Sequence, residues 1–327
     1  MMTPTEHRRQ ILENFMVSQS QKPLIVILGP TASGKTAFSI SLAHELKNNF
    51  GKTAEVVNAD SRQFYRGFDI GTAKITPEEQ QGIAHHMIDV LDPADDCTIA
   101  WYQSEAKRVI ADIHARGNIP VLVGGSMLYV SALVDGLQPM AASDPTIRER
   151  LNREYETDHG KTLYERLTVL DPETAASFPM QNKVYVVRAM EIYESTGKTK
   201  SSQKKTSVGP YNLLMFGMDV DKQDLDQRIA NRTNQMLERG WIQEVEKLKK
   251  QGVQISDPAM KSVGYREIFV ALESPHPRPL PRSGGGGSVP TDTILALSET
   301  IESQTRAYAK RHRTWWKRDT RIVWIKI

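Results

Sequence analysis

The strongest chemical signal in the chain is the segment GPTASGKT, residues 29–36. It matches the spacing G-x-x-x-x-G-K-[ST], whose glycines let backbone N–H groups turn onto a phosphate at the start of a helix. Lys35 would add a positive charge to the phosphate site, and the Thr36 hydroxyl could hold Mg²⁺ or an oxygen. The spacing therefore predicts a phosphate-binding loop made of Gly29, Pro30, Thr31, Ala32, Ser33, Gly34, Lys35 and Thr36.

A second chemical candidate is Asp60, in the segment NADSRQFYRGFDIGTAK, residues 58–74. A carboxylate at a strand end beside a phosphate site could act as a general base, although an aspartate there is more often a turn or cap residue. The loop that follows mixes basic and polar residues with aromatic ones: Arg62, Gln63, Arg66 and Lys74 with Phe64, Tyr65 and Phe68. Such a mixture favours either an unstacked base beside a phosphate backbone or a hydrophobic anchor under the loop.

The segment IPVLVGG, residues 119–125, bears on which phosphate reaction is possible. In many kinases and ATPases a comparable strand ends in an acid that helps to hold Mg²⁺. This one ends in Gly124 and Gly125, which could admit a ligand close to the backbone or simply form a tight turn. The pattern weakens an ATPase interpretation and leaves a small-molecule kinase open.

Apolar runs that alternate with helical patterns must position these groups. Residues 23–28, 54–60 and 119–125 read as buried strands, and residues 211–221 and 321–327 add two more. Strands that alternate with helices predict an α/β fold of the P-loop NTPase type, a parallel sheet with helices on both faces. Because the carboxyl ends of parallel strands share one edge, the loop, Asp60 and the glycine pair should converge on one site.

Changes in composition predict the domain organisation. We expect an N-terminal extension, loose or helical, over residues 1–22 and a core over residues 23–137 and 207–327. Residues 138–206 are charged, helical and poor in strand patterns, which indicates a helical insert. Residues 274–289 are rich in Pro, Gly and Ser and predict a flexible loop within the core. Residues 225–252 predict one long amphipathic helix with a glycine near its middle.

The charge balance is nearly even, with 42 basic and 39 acidic residues, but the C-terminus is basic. Residues 306–327 carry eight Lys or Arg against the single acid Asp319, which favours a polyanion such as nucleic acid or an ordinary solvated helix face. The only cysteine, Cys97, indicates a reducing compartment and no intramolecular disulfide. We find neither an apolar span nor a secretory leader, so a cytoplasmic protein is expected.

Eight segments follow one another in a characteristic order: GPTASGKT, NADSRQFYRGFDIGTAK, HHMIDVLDP, PVLVGGSMLY, VRAMEIYESTGK, RIANRTNQMLERGWIQEV, KSVGYRE and TRAYAKRHRTWWKR. In this order the chain resembles the tRNA dimethylallyltransferases from about Pro23 to its C-terminus. The resemblance implies transfer of the dimethylallyl group of dimethylallyl diphosphate to N6 of adenosine 37, 3′ of the anticodon, in tRNAs that read codons beginning with U. The loop would then hold a diphosphate leaving group, and no phosphoryl group would move.

The resemblance also implies residue roles. Asp60 would be the base, Lys35 and Thr36 would act with Mg²⁺ on the diphosphate, and Arg232, four residues after Arg228 on a predicted helix, would grip it. The expected partner is the anticodon stem-loop, and the expected form is a monomer. The implied tRNA contacts are Asp60, Ser61, Arg62, Gln63, Ser126, Arg148, Arg188, Lys261, Gly264, Tyr265, Arg266, Lys310, Arg311, Arg313, Trp315 and Lys317.

Some positions depart from the pattern of that family. Ser126 stands where Thr is common, and His312 and Arg313 stand where Gln and an apolar residue are usual. The adjacent Trp315 and Trp316 could stack on bases or pack, and we expect at least one of them in the core. A small-molecule kinase and an RNA-binding protein without turnover are the two alternative functions.

Overall fold

The computed structural model describes residues 4–17, 22–136, 144–203, 210–273 and 291–327. The flexible loop predicted for residues 274–289 lies outside the described residues, as do both predicted ends of the helical insert. The chain divides into two compact units, one formed by residues 1–130 and 210–327 and the other by residues 131–209.

The first unit is built on a six-stranded sheet in the order β3-β2-β4-β1-β5-β6. All neighbouring strands are parallel, which confirms the predicted parallel sheet. Every residue of β2 and β4 is buried, as expected for central parallel strands. The strands are β1 Lys22–Leu28, β2 Ala54–Asn58, β3 His85–His86, β4 Ile119–Gly124, β5 Tyr211–Asp219 and β6 Ile322–Lys326.

Helices of the first unit surround this sheet and carry most of the side chains discussed below. They are α1 Pro4–Val17, α2 Lys35–Phe50, α3 Ile99–Ala115, α4 Met127–Val134, α9 Lys222–Glu238, α10 Trp241–Lys250, α11 Tyr265–Glu273 and α12 Thr291–Trp316, with a 3₁₀ turn at Pro258–Lys261. The last four residues of α4 belong to the second unit.

The long helix predicted for residues 225–252 is wrong, because the structure forms two helices there. Gly240 caps the second helix with φ +97°, a left-handed conformation that breaks the α-helical path and that glycine adopts without strain. The break separates α9, which carries Arg232, from α10, which begins with the buried Trp241.

The N-terminal extension forms the helix α1 and packs on the core. Leu12 is fully buried in a cluster with Leu42 and Leu46 of α2 and with Ile27 of β1. An ion pair between Arg8 and Glu45 at 2.6 Å also joins α1 to α2.

None of the helices in the described ranges is long and apolar enough to cross a membrane.

The second unit is helical, and its described residues contain no strand. Its core packs Leu151, Leu163, Leu167, Val186 and Met190. Its helices are α5 Pro145–Thr157, α6 Lys161–Leu170, α7 Pro172–Ala176 and α8 Lys183–Thr196.

Candidate active site at the phosphate loop

The phosphate loop joins the end of β1 to the start of α2. Gly34 has φ +84° and forms the N-cap of α2, so a residue with a side chain would be strained there. The ammonium of Lys35 donates a hydrogen bond to the carbonyl oxygen of Pro30 at 2.8 Å, which closes the loop on itself. Thr36, one residue later, is exposed and lines the cavity above the loop.

Asp60 lies two residues beyond β2, where the side chain of Asn58 fixes the turn. The backbone N–H of Asp60 donates to Asn58 Oδ1 at 2.9 Å, and the amide of Asn58 donates to the carbonyl of Met87 at 3.0 Å. Asp60 Oδ1 in turn accepts the N–H of Arg62 at 3.0 Å. The carboxylate is therefore a turn former, and the same turn holds it at the edge of the sheet where the phosphate loop lies.

Two cavities meet at Asp60. The larger, about 630 Å³, lies over the phosphate loop and α2. The smaller, about 90 Å³, has a mixed lining of apolar side chains, among them Ile229, Met236, Trp241 and Ile301, and of polar ones, among them Arg62 and Tyr308. Thr31, Asp60 and Arg232 line both cavities. The structure thus brings together three predicted site residues at the junction between the predicted phosphate site and a second, partly apolar space.

The charges at this junction favour an anion. Burial lowers the pKa of Lys35 from 10.5 to about 8; the carboxylate of Asp60 opposes this shift and the charge of Arg232 adds to it. Burial also lowers the pKa of Arg232, again opposed by Asp60. Two desolvated cations face one carboxylate, so a bound anion would compensate the excess positive charge.

Tyr308 is a site residue that sequence reasoning missed. It lines the smaller cavity, is hydrogen-bonded to Ser126, and has a pKa that burial and then Asp60 raise to about 12. The hydroxyl therefore stays protonated at neutral pH and can donate or accept a hydrogen bond. Its only signal in the sequence is its place in the basic C-terminal helix, four residues before His312.

The glycine pair at the end of β4 is required by packing against the protein itself. A Cβ on Gly124 would lie 2.4 Å from the backbone of Ala59, and one on Gly125 would lie 2.7 Å from the ring of His312. Neighbouring chain segments thus approach both glycines closely, and because Gly124 also lines the larger cavity, approach by a ligand stays a prediction. Burial lowers the pKa of His312 to about 4, so its ring is neutral at pH 7.

The aromatic residues after Asp60 anchor the loop. Phe64, Tyr65 and Phe68 are almost fully buried. Phe64 stacks on Tyr102 with ring centroids 5.5 Å apart, and Phe68 packs on Tyr265 at 4.6 Å. The hydrophobic-anchor interpretation is confirmed, and stacking of these rings on a base is wrong.

The other predicted tRNA contacts of the first unit differ in exposure. Lys261 and Arg266 are exposed, whereas Gly264 and Tyr265 are buried. The Tyr265 hydroxyl donates to Glu244 at 2.5 Å and accepts the N–H of Gly71 at 3.0 Å. Its predicted contact with tRNA is therefore replaced by a structural role beneath the loop.

The turn after Asp60 and the start of α4 are tied together. The N–H of Ser61 donates to Ser126 Oγ at 3.2 Å, and the amide of Gln63 donates to the carbonyls of Thr72 and Ala73. The predicted contacts at the C-terminal end of α12 and just after it are all exposed: Lys310, Arg311, Arg313, Trp315 and Lys317. Trp316 is 3% exposed, which confirms that at least one of the paired tryptophans is in the core.

In the second unit the two predicted arginines share one buried acid. Arg148 and Arg188 each place a guanidinium nitrogen 2.8 Å from Glu191 Oε2, and Glu191 has no exposed surface. The N–H of Asp144 donates to the other carboxylate oxygen at 2.9 Å. Glu191 thus fixes both arginines, whose side chains remain partly exposed.

Comparison with known proteins decides the family. The family model described as IPP transferase matches residues 63–319. The chain belongs to the IPP transferase family. It is 37% identical over 310 residues to a tRNA dimethylallyltransferase of Geobacter sulfurreducens, covering 94% of this chain and 93% of the relative. It is also 38% identical over 303 residues to one of Mycobacteroides abscessus, covering 92% and 90%.

Solved structures agree with this assignment. The full-length tRNA isopentenylpyrophosphate transferase of Bacillus halodurans is 34% identical, with a TM-score of 0.64 over 94% of this chain and 90% of that chain. A eukaryotic dimethylallyltransferase acting on tRNA is 27% identical, with a TM-score of 0.73 over 93% of this chain and 74% of that chain. The family resemblance and the fold class inferred from the sequence are confirmed, and the protein is a prenyl-transferring enzyme.

Proposed function

We propose that the protein transfers the dimethylallyl group from dimethylallyl diphosphate to N6 of adenosine 37 in tRNAs that read codons beginning with U, and releases diphosphate. The observation that carries this proposal is the position of Asp60 at the junction of the two cavities. One cavity offers cations for a diphosphate, and the other offers room beside the same carboxylate for the groups that react.

The acceptor chemistry explains the need for a carboxylate. The N6 lone pair of adenine is delocalised into the ring and is a weak nucleophile. Asp60 would take a proton from N6 as the new C–N bond forms to the allylic carbon. The C–O bond to the diphosphate breaks in the same step, and its electron pair leaves with the diphosphate.

The leaving group needs charge stabilisation, which Lys35, Arg232 and the loop N–H groups would supply. Thr36 would hold Mg²⁺, and the ion when bound neutralises charge on the diphosphate. The described residues contain no cluster of three or more His, Cys, Asp or Glu side chains able to hold a metal. The exposed Thr36 hydroxyl nevertheless fits an ion whose other ligands are diphosphate oxygens and water, as Mg²⁺ prefers.

The tRNA partner requires the adenosine to leave its stack, at a cost of about a few kcal/mol. Exposed cations of α12 would hold nearby phosphates without reading sequence. Arg148 and Arg188 of the second unit stay predicted tRNA contacts. Monomeric state and cytoplasmic location stay predictions.

The test incubates the protein with dimethylallyl diphosphate labelled in the allyl group and with unmodified tRNA. We expect label in tRNA with the wild type, and a kcat lowered about 10²- to 10⁴-fold in Asp60→Asn because the general base is lost. Asp95→Asn is the matched control, since Asp95 also accepts a backbone N–H in a turn, that of Asp92 at 2.8 Å, and lines neither cavity.

Two results would contradict the proposal. The first is phosphate transfer from γ-labelled ATP to a nucleoside with no label from the allyl donor in tRNA, which would indicate a kinase. The second is tight tRNA binding with no transfer under any condition, which would indicate an RNA-binding protein.

A further inference from the structure

A basic groove lies on the side of α12 that faces away from the reaction site. Its cavity of about 1140 Å³ is bounded by α12, by the start of α9 and by the ends of β5 and β6. We call it the C-terminal groove and define it by Lys222, Lys310, Arg313, Lys317, Arg318 and Trp324. The sequence analysis predicted tRNA contacts for only three of these six residues, namely Lys310, Arg313 and Lys317.

The groove carries uncompensated positive charge. The five groove cations have no ion pair with any described residue: these are Lys310 and Arg313 of α12, Lys317 and Arg318 just after it, and Lys222 of α9. The acids that also line the groove are Asp219 and Asp226, and Asp226 lies 3.8 Å from Arg306, a further lining residue. Five unpaired cations around one concave surface attract a polyanion such as an RNA phosphate backbone.

Trp324 adds an exposed aromatic ring to the charged surface of the groove. Its side chain is 40% exposed although it lies on a strand. The ring packs over Gly217 of β5, where a Cβ would lie 2.6 Å from a ring atom, so one side of the indole is supported by backbone. A supported, half-exposed indole beside unpaired cations is the combination that stacks on nucleic-acid bases while phosphates are held nearby.

The two faces of α12 separate the groove from the reaction site. Ile301, Thr305 and Tyr308 line the small cavity at Asp60, whereas Lys310, Arg313 and other residues of the opposite face line the groove. A base in the groove is therefore a different nucleotide from the adenosine at Asp60.

We infer that the C-terminal groove binds a single-stranded segment of the tRNA, with a base on Trp324 and phosphates on Lys222 and Arg318. This inference rests on the proposed function, since it names where a second part of the same substrate lies. An acidic peptide would satisfy the cations but would leave the indole unused, so RNA is the occupant that uses both features.

The test measures the affinity of unmodified tRNA at several salt concentrations, without the allyl donor. Trp324→Leu should raise the Kd about 5- to 100-fold because a base–aromatic stack is lost, and Trp324→Tyr should stay near the wild type. Lys222→Ala should lower the slope of log Kd against log salt by about 1 because one phosphate contact is lost. The control Lys107→Ala, an exposed lysine of α3 outside the groove, should change neither quantity.

Transfer kinetics distinguish the groove from the reaction site. All groove variants should raise the KM for tRNA and keep the kcat at saturating tRNA. The inference is overturned by a wild-type Kd in Trp324→Leu, by a Trp324→Tyr variant as weak as Trp324→Leu, or by an unchanged salt slope in Lys222→Ala. Absence of prenyl transfer by the wild type refutes the proposed function instead, because the binding titration does not depend on transfer.

Discussion

Replacement of Lys35 by methionine should stabilise the free protein while it removes diphosphate binding. Burial lowers the pKa of Lys35 from 10.5 to about 8, and at 1.36 kcal/mol per pKa unit this corresponds to about 3 kcal/mol of unfavourable free energy in the folded state. The variant also loses the hydrogen bond to Pro30, worth about 1 kcal/mol. The expected gain in the free energy of unfolding at pH 7 is therefore about 2 kcal/mol.

The pH dependence of this gain has a definite sign. Below pH 8 the ammonium is charged in both states, so the full cost is present. Between pH 8 and 10.5 the folded state releases the proton first, the unfolded state binds more protons, and the stability of the wild type rises with pH. The advantage of Lys35→Met should therefore shrink across that window.

The assay is urea unfolding of wild type and variant at pH 7 and at about pH 10, with pyrophosphate titration alongside. Lys47→Met, an exposed lysine on the same helix, is the control and should change stability by less than about 0.5 kcal/mol at either pH. Pyrophosphate should stabilise the wild type and not Lys35→Met. A variant less stable than the wild type at pH 7, or a difference that is equal at both pH values, would refute the reasoning.

Three further outcomes follow from the site and from the packing around it. Arg232→Ala should raise the KM for the allyl diphosphate at least tenfold in steady-state kinetics. Arg228 lines neither cavity, so Arg228→Ala should leave this KM unchanged. Equal effects of the two substitutions would contradict the role assigned to Arg232. Gly125→Ala should cost about 1–3 kcal/mol in urea unfolding because its Cβ meets His312, and this cost should fall in a double variant with His312→Ala; strict additivity would contradict the contact. Glu191→Ala should cost about 1–3 kcal/mol and raise amide hydrogen exchange in α5 and α8, since two partly exposed arginines and the N–H of Asp144 lose their buried acceptor; unchanged exchange would disprove this.

Local patterns predicted the scaffold of the site. The apolar runs that become β1, β2 and β4 are continuous and end in polar or glycine residues, which is the signature of buried parallel strands. The phosphate-loop motif located Lys35 in the sequence. The predicted strand ends correctly put Asp60 and the loop at the same edge of the sheet.

Features set by long-range packing were not predictable in this way. The two-residue strand β3 is too short to carry a period. The burial of Phe64 and Phe68 depends on Tyr102 and Tyr265, which are distant in sequence. The contact between Gly125 and His312 likewise joins residues far apart in the chain, and Tyr308 carries no motif that would assign it to the cavity.

The helix prediction at Gly240 failed for a different reason. A glycine inside a helical pattern is compatible with a continuous helix at a modest cost or with a break, and only the local conformation decides between them. Its positive φ decides for the break and lets Trp241 enter the core beneath Gly71 and Gly264.

The most direct measurement is a crystal structure of the protein with an unreactive thio-diphosphate analogue of the allyl donor. The account predicts the diphosphate on residues 29–36, within hydrogen-bond reach of Lys35 and Arg232, and the allylic carbon facing the Asp60 carboxylate. An analogue bound elsewhere, or one whose allylic carbon points away from Asp60 with no room for a base between them, would contradict it.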